Sequence, residues 1–228
     1  AVIEEGVAIG PECWIGPHVH LTGRIMIGAR NRFHTGCVIG DAPQDLKYKG
    51  DATGVLIGDN NVFREHVTVH RASRSPEETR IGSNNFFMAN SHVGHNTRLG
   101  DHVILANGAL LGGHAVVQDR AFISGNCLVH QSVRIGTLAL MQGSSAVSKD
   151  LPPYTIGRGY NRICGLNTVG LRRAGFSPEQ RTELKRLYHV LFRGGLPLRS
   201  AAEQAKQEHL SDAGQVLYQA IPWPKDKK

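Results

Sequence analysis

Aromatic side chains are scarce in this chain, at 6% of 228 residues. Nor does any stretch reach the roughly 18 to 20 consecutive apolar residues that a membrane-spanning helix needs. With no charged-then-apolar leader at the start, the expectation is a chain without membrane insertion. Cysteine is sparse as well: Cys13, Cys37, Cys127 and Cys164 stand far apart without a CxxC pair. That pattern fits reduced thiols in a cytoplasmic protein better than a disulfide framework. Acidic residues are outnumbered, 19 against 26 Lys and Arg, leaving a formal net charge of +7. The excess suits an acidic partner: nucleic acid, a nucleotide diphosphate, a phosphopantetheine thioester or an acidic carrier protein. Charge alone does not choose among them.

What the chain has is a clock of six. Every sixth residue from Ile3 to Val147 is Ile, Leu, Val, Phe or Met, except Asp45, Asp51 and Ser75. Two residues before these positions stand mostly small or β-branched residues such as Val7, Cys13, Val19, Cys37, Ala109, Ala115 and Cys127, and just after them Gly recurs. An alternating inward pair followed by a glycine-favoured bend describes a short strand and a turn. Three such units, about 18 residues, close one triangular coil of a parallel β-helix. A helical period of 3.6 finds no support before residue 175. The fold class expected is all-β: a left-handed parallel β-helix of hexapeptide repeats over residues 1–160, followed by a C-terminal α-helical domain over 161–228. Cysteines at inward positions read as small buried hydrophobes.

The C-terminal pattern is helical. In "SPEQRTELKRLYHVLFRGG" Ser177 is an N-cap, Pro178 the first helical residue, Gln180 the closing member of a capping box and Gly194 the stop. "RSAAEQAKQEHL" and "SDAGQVLYQAI" predict two more helices, and "PWPKDKK" a frayed tail. Basic residues, among them Arg172, Arg173, Arg181 and Lys185, crowd the junction and the first of these helices.

The failures of the clock mark two excursions, at 41–54 and 71–79. They add about 12 and about 6 residues to the repeat, together one coil, so the register survives both. Allowing for them, His70, His95, His114 and His130 fall within a few places of one another on four successive coils, beneath both loops. Taken singly, most of the 12 histidines read as solvated or hydrogen-bonded; an aligned column suggests a site. At about 4.8 Å per coil the column spans on the order of 15 Å, the length of a nucleotide-sugar rather than of one metal ion, which needs three or four ligands about 2 Å away. No metal is therefore expected. Apolar outward residues such as Ile104, Leu110, Phe122 and Leu128 call for a partner surface and predict a homotrimer with clefts between subunits. A neutral imidazole at His95 would serve there as a base.

Seven stretches, "QDLKYKG", "REHVTVHR", "NSHVGHN", "LGGHAVV", "VHQ", "LPPYTIGRG" and "GLNTVGLRRAGFS", occur in the order found in one family. The chain resembles the UDP-N-acetylglucosamine O-acyltransferases, which perform the first step of lipid A synthesis. That resemblance implies transfer of a 3-hydroxyacyl chain from acyl carrier protein to the 3-position of the UDP-sugar, in the cytoplasm and without nucleic acid. No cofactor is implied beyond the acyl-phosphopantetheine of the carrier as co-substrate. It implies His95 as general base and the backbone N–H of Gly125 as oxyanion donor. Gln44, Asp45, Lys47, His70, His92, His114 and His130 are implied to hold the sugar, its diphosphate and the pantetheine arm. Asn167 and Arg173 are implied to contact the donor arm or the uridine, and Gly143 to gate acyl length. Asn96 stands where the family commonly has Asp, and Val169 and Ala174 where it typically has Glu and Arg. An amide orients an imidazole without adding charge, so Asp at position 96 is expected to raise the rate if orientation plus charge is what the site lacks, and to leave it unchanged if the site compensates elsewhere. The same residues leave two other readings: N-acylation of a 3-amino UDP-sugar, or a non-catalytic trimeric binding protein of this fold.

Overall fold

A computed structural model describes residues 1–206 and 210–221. Short strands, many of two residues such as His92–Val93, Arg98–Leu99 and Ile104–Leu105, follow the six-residue spacing. Successive strands go to three different sheets, of eight, seven and nine strands. Each strand pairs in parallel with the one a coil away: Val93 with Leu111, Leu99 with Val117, Leu105 with Ile123. The result is a left-handed parallel β-helix of triangular coils.

Because equivalent residues stack directly, the core is made of columns of like side chains. Phe33, Phe63 and Phe87 form one, with ring centroids 4.7 and 4.5 Å apart and planes within 6°. Asn31, Asn61 and Asn85 form another: the Asn61 backbone N–H donates to Asn31 Oδ1 at 2.9 Å, that of Asn85 to Asn61 Oδ1 at 2.9 Å, and that of Val103 to Asn85 Oδ1 at 2.6 Å. A buried amide column of this kind satisfies corner N–H groups that no strand partner reaches. Cys37 and Cys127 are buried, as small hydrophobes at those positions should be.

The glycines work differently from a glycine-favoured bend. The left-handed backbone at the corners belongs chiefly to Asn, His, Arg and Ser, for instance Asn90, Asn96, His102, His114 and Ser132, with φ between 57° and 62°. Gly94 and Gly112, which follow the inward apolar residue, are needed for closeness instead. A Cβ on Gly94 would lie 2.8 Å from Leu111 O, and one on Gly112 2.7 Å from the Gln131 amide nitrogen.

The register passes both excursions intact: Thr68 pairs with Val38 on one side and His92 on the other. The chain leaves the first sheet after Val38–Asp41 and again after Thr68–His70, and re-enters the second at Gly54–Ile57 and Glu78–Ile81. Both loops thus spring from one corner.

At the far end Thr155–Arg158 pairs antiparallel with Arg162–Leu166, a hairpin that no six-residue pattern foreshadows. Among the described residues four helices follow: α1 (Thr168–Arg173), α2 (Pro178–Phe192), α3 (Leu198–Lys206) and α4 (Asp212–Gln219). The Ser177 capping box is present with both its hydrogen bonds, and α2 ends at Phe192 with Arg193 as its C-cap, ahead of Gly194. The short α1, capped by Asn167, lies in the segment read from sequence as a junction. The tail "PWPKDKK" lies outside the described residues. Leu171, Leu184, Leu187, Leu191, Ala201 and Leu217 pack into a second core, which Leu138 and Tyr154 of the last coils join.

Phe63→Ala removes the middle ring of the column and should cost about 3–5 kcal/mol, read as a lower urea midpoint. Gly112→Ala pushes a methyl into backbone and should cost about 1–3 kcal/mol; an unchanged midpoint would refute the close-stacking role given to that glycine.

Candidate active site

The corner between the first and second sheets carries the histidines. Register places His70, Gly94, Gly112 and His130 one above another just past the inward residues Val69, Val93, Leu111 and Val129. His95 and Gly113 follow one place on, Asn96 and His114 two places on. A cleft of about 580 Å³ runs from this corner along the outer face of the first sheet. His70, His92, His95 and His130 line it, and the first excursion contributes Gln44. Its floor is apolar: Leu110, 41% exposed, then Leu128, 49% exposed, then Ala146, with Tyr160 at the far end. His92 and His95 thus share one cleft although three residues separate them.

His95 is held by a defined network. Its Nδ1 lies 2.7 Å from Asn96 Oδ1. The same oxygen accepts the Ser73 backbone N–H at 2.9 Å and the Ser73 hydroxyl at 3.1 Å, while Asn96 Nδ2 donates to Glu77 Oε2. A backbone N–H can only donate and a carboxylate can accept, so these partners fix which end of the Asn96 amide is which. The oxygen faces the imidazole, so Nδ1 must carry a hydrogen. Nε2 is left with its lone pair, the form a base requires. The Asn96 backbone N–H donates to Thr79 Oγ1 at 2.9 Å, and its φ of 59° is one that Asn and Asp adopt readily. The His114 ring packs edge-on to that of His95, centroids 5.1 Å apart. A Cβ on Gly113 would lie 2.4 Å from His95 Nε2. Gly113, whose backbone N–H has no partner among the described residues, thus packs its open side against the imidazole.

Burial disfavours the charged form of both His70 and His92. Burial, followed by repulsion from His70 and His95, pushes His92 down to about 4; its Nδ1 shares a 2.7 Å hydrogen bond with Thr68 Oγ1. Burial also lowers His70, against the opposing pull of Asp41. The His70 ring meets His92 edge-on at 4.8 Å, and its buried Nδ1 has no partner among the described residues. Such an atom is suited to a ligand's hydrogen bond.

Other residues expected at the site are dispersed. His130 is exposed at the rim, its Nδ1 3.2 Å from Gln131 O. Asp45 and Lys47 sit on the first excursion, where Asp45 Oδ1 accepts the Lys47 backbone N–H at 2.9 Å. Gly125 and Gly143 neighbour each other on successive coils, but on the corner between the third and first sheets. Within one chain the sheet separates them from His95. Asn167 is a buried cap: its Nδ2 donates to Leu138 O at 2.9 Å and its Oδ1 accepts the Gly170 N–H at 3.0 Å. Arg173 is exposed at the end of α1. Ser73, Glu77, Gly113 and Tyr160 were not picked out from sequence. "LGGHAVV" contains Gly113, whereas nothing in an irregular loop marks Ser73 or Glu77. Among the described residues no three His, Cys, Asp or Glu side chains converge to hold a metal ion.

Parallel hexapeptide coils with a histidine-lined cleft define a hexapeptide-repeat transferase, and residues 78–113 match the family model described as bacterial transferase hexapeptide, six repeats. Residues 150–221 match that of UDP-N-acetylglucosamine O-acyltransferase, domain 2. The UDP-N-acetylglucosamine O-acyltransferase of Syntrophobacter fumaroxidans is 44% identical over 211 residues, covering 91% of this chain and 82% of its own. The UDP-N-acetylglucosamine acyltransferase structure from Francisella novicida superposes with TM-score 0.83 at 36% identity, covering 96% of this chain and 88% of its own. That from Bacteroides fragilis gives 0.85 at 33% identity, covering 96% and 94%. The chain belongs to the UDP-N-acetylglucosamine O-acyltransferase family.

A histidine held near 4 binds fewer protons folded than unfolded between that value and about 6.5. Its contribution to stability is complete above about 6.5 and is lost as pH falls toward 4. His92→Gln should therefore shrink the fall in melting temperature between pH ~7 and ~4.5, by the equivalent of up to about 2 kcal/mol; equal falls in both proteins would contradict a neutral buried His92.

Proposed function

We propose that this protein transfers an acyl chain from acyl carrier protein to the 3-hydroxyl of UDP-N-acetylglucosamine, in the cytoplasm, as the first step of lipid A synthesis. The relatives are named for these substrates. The observation that carries the reading is the His95 tautomer: Nδ1–H is committed to Asn96, and Nε2 is free at the head of a cleft with an apolar floor. Nε2 takes the proton of the sugar hydroxyl as the oxygen attacks the thioester carbonyl. The oxyanion of the tetrahedral intermediate is met by a backbone N–H. Gly113, beside Nε2, is placed to supply it from the same chain; Gly125 could do so only from a neighbouring copy. Collapse releases the pantetheine thiol, which takes the proton back from the imidazolium. No covalent enzyme intermediate and no cofactor are needed.

His70, with its unpartnered Nδ1, together with His92, Gln44 and His130, would hold the acceptor. Asp45 and Lys47 would close over it from the first excursion, and the 3-hydroxyacyl chain would lie along Leu110, Leu128 and Ala146. The exposed leucines on that face support a homotrimer whose second wall comes from the adjacent subunit, bringing the Gly125–Gly143 corner to the chain. Arg173, with Arg172, Arg181 and Lys185 near it on α1 and α2, offers positive charge to the acidic carrier protein or the uridine diphosphate. Of the site residues expected, Asn167 acts through packing, since both ends of its amide are already occupied.

His95→Ala should lower kcat/KM by about 10²–10⁴ while the oligomer keeps its mass and melting temperature. Product mass spectrometry with mixed acyl carrier protein thioesters, offered UDP-N-acetylglucosamine and its 3-amino analogue together, should return the ester. Exclusive amide formation would move the assignment to N-acylation, and full activity of His95→Ala would overturn the mechanism.

A further inference from the structure

Asn96 is neutral, yet the network around it carries a charge. The imidazolium that forms during transfer is faced by His92 from the strand just before it, His70 from the coil before and His114 from the coil after. Its positive charge meets no carboxylate among those three rings. Asp41 faces His70; toward His95 the hydrogen-bonded carboxylate is Glu77, reached through the Asn96 amide.

We propose that Glu77 is a positioning residue for His95: its carboxylate, accepting from Asn96 Nδ2, aims Asn96 Oδ1 at the His95 Nδ1–H and supports the imidazolium from one residue further away. The proposal rests on the acyl-transfer reading above. Three observations carry it. The second excursion turns back at Ser73 and Glu77 onto opposite ends of one amide. Asn96 and Ser73 are buried, so that end of the amide is closed to water, and the exposed Glu77 caps the other end. Amide and carboxylate together make a chain of hydrogen bonds, His95 Nδ1–H to Asn96 Oδ1 and Asn96 Nδ2–H to Glu77 Oε2, in which each bond polarises the next. An Asp at position 96 would do the opposite of what the sequence suggests. It would set a second carboxylate against Glu77, remove the donor Glu77 uses, and favour a shared proton over a full charge.

The two positions should therefore be exchangeable only together. Glu77→Gln should lower kcat by about tenfold with KM little changed, and move the acid limb of the pH–rate profile to lower pH, because the base loses its negative support. Asn96→Asp alone should also lower kcat. The double variant Glu77→Gln, Asn96→Asp puts the carboxylate on His95 and the amide behind it, and should recover at least half of the original rate. Thermal melts and oligomer mass for all three separate misfolding from mispositioning, and recovery in the double variant itself requires a folded site. An Asn96→Asp enzyme as fast as the parent, or a Glu77→Gln enzyme with unchanged kcat and acid limb, overturns the proposal. Imidazole ¹⁵N shifts of His95 provide a readout without turnover: Nδ1-protonated in the parent, titrating at lower pH in Glu77→Gln. If that shift appears while the parent acylates neither acceptor, the role of Glu77 stands and the acyltransferase reading fails. An unmoved titration removes Glu77 from the site.

Discussion

The interaction on which everything else depends is the parallel backbone hydrogen bonding between coils. It sets each residue over its equivalent one coil away at about 4.8 Å, and two-residue strands leave little length over which to twist. That single constraint turns a linear sequence into columns. Phe33, Phe63 and Phe87 stack nearly coplanar because nothing rotates one coil against the next. The same constraint raises Leu110, Leu128 and Ala146 as a row on the outside and His70, His95 and His114 as neighbours at a corner.

An aligned corner also has a cost: successive coils approach so closely that side chains must vanish where backbones meet. Gly94 and Gly112 meet that need, and Gly113 meets another, leaving room for the His95 imidazole. The polar contacts around the histidine corner come from where the repeat is interrupted. The excursions supply what a regular coil cannot: Gln44 over the cleft from the first, and Ser73 and Glu77 gripping Asn96 from the second.

The architecture was legible because a column of inward apolar residues is a period, and a period survives in a single sequence. The two excursions showed as Asp45, Asp51 and Ser75, polar residues where the core should be. His95 could be found because alignment of several histidines on one corner follows from arithmetic on that period. Ser73 and Glu77 could not, since their approach to Asn96 depends on how an irregular loop folds back. The glycines were misread because sequence shows where glycine stands but not whether conformation or proximity requires it. The Arg162–Leu166 hairpin strand and α1 have no repeat and few buried residues, so neither announces itself, whereas the Ser177 capping box does because its two hydrogen bonds are local. Gly125 and Gly143 look adjacent to the histidines in the linear order; one sheet's width puts them on another edge of the prism.

The row formed by Leu110, Leu128 and Ala146 is a ladder with rungs one coil apart. A groove built this way can change its length only by whole rungs, each spanning a few methylene groups, or by altering the side chain on a rung. Selection among acyl chains along such a floor would then be stepwise rather than continuous. Ala146, smaller than the two leucines before it, and Tyr160, standing at the far end, are the rungs that set where the groove stops.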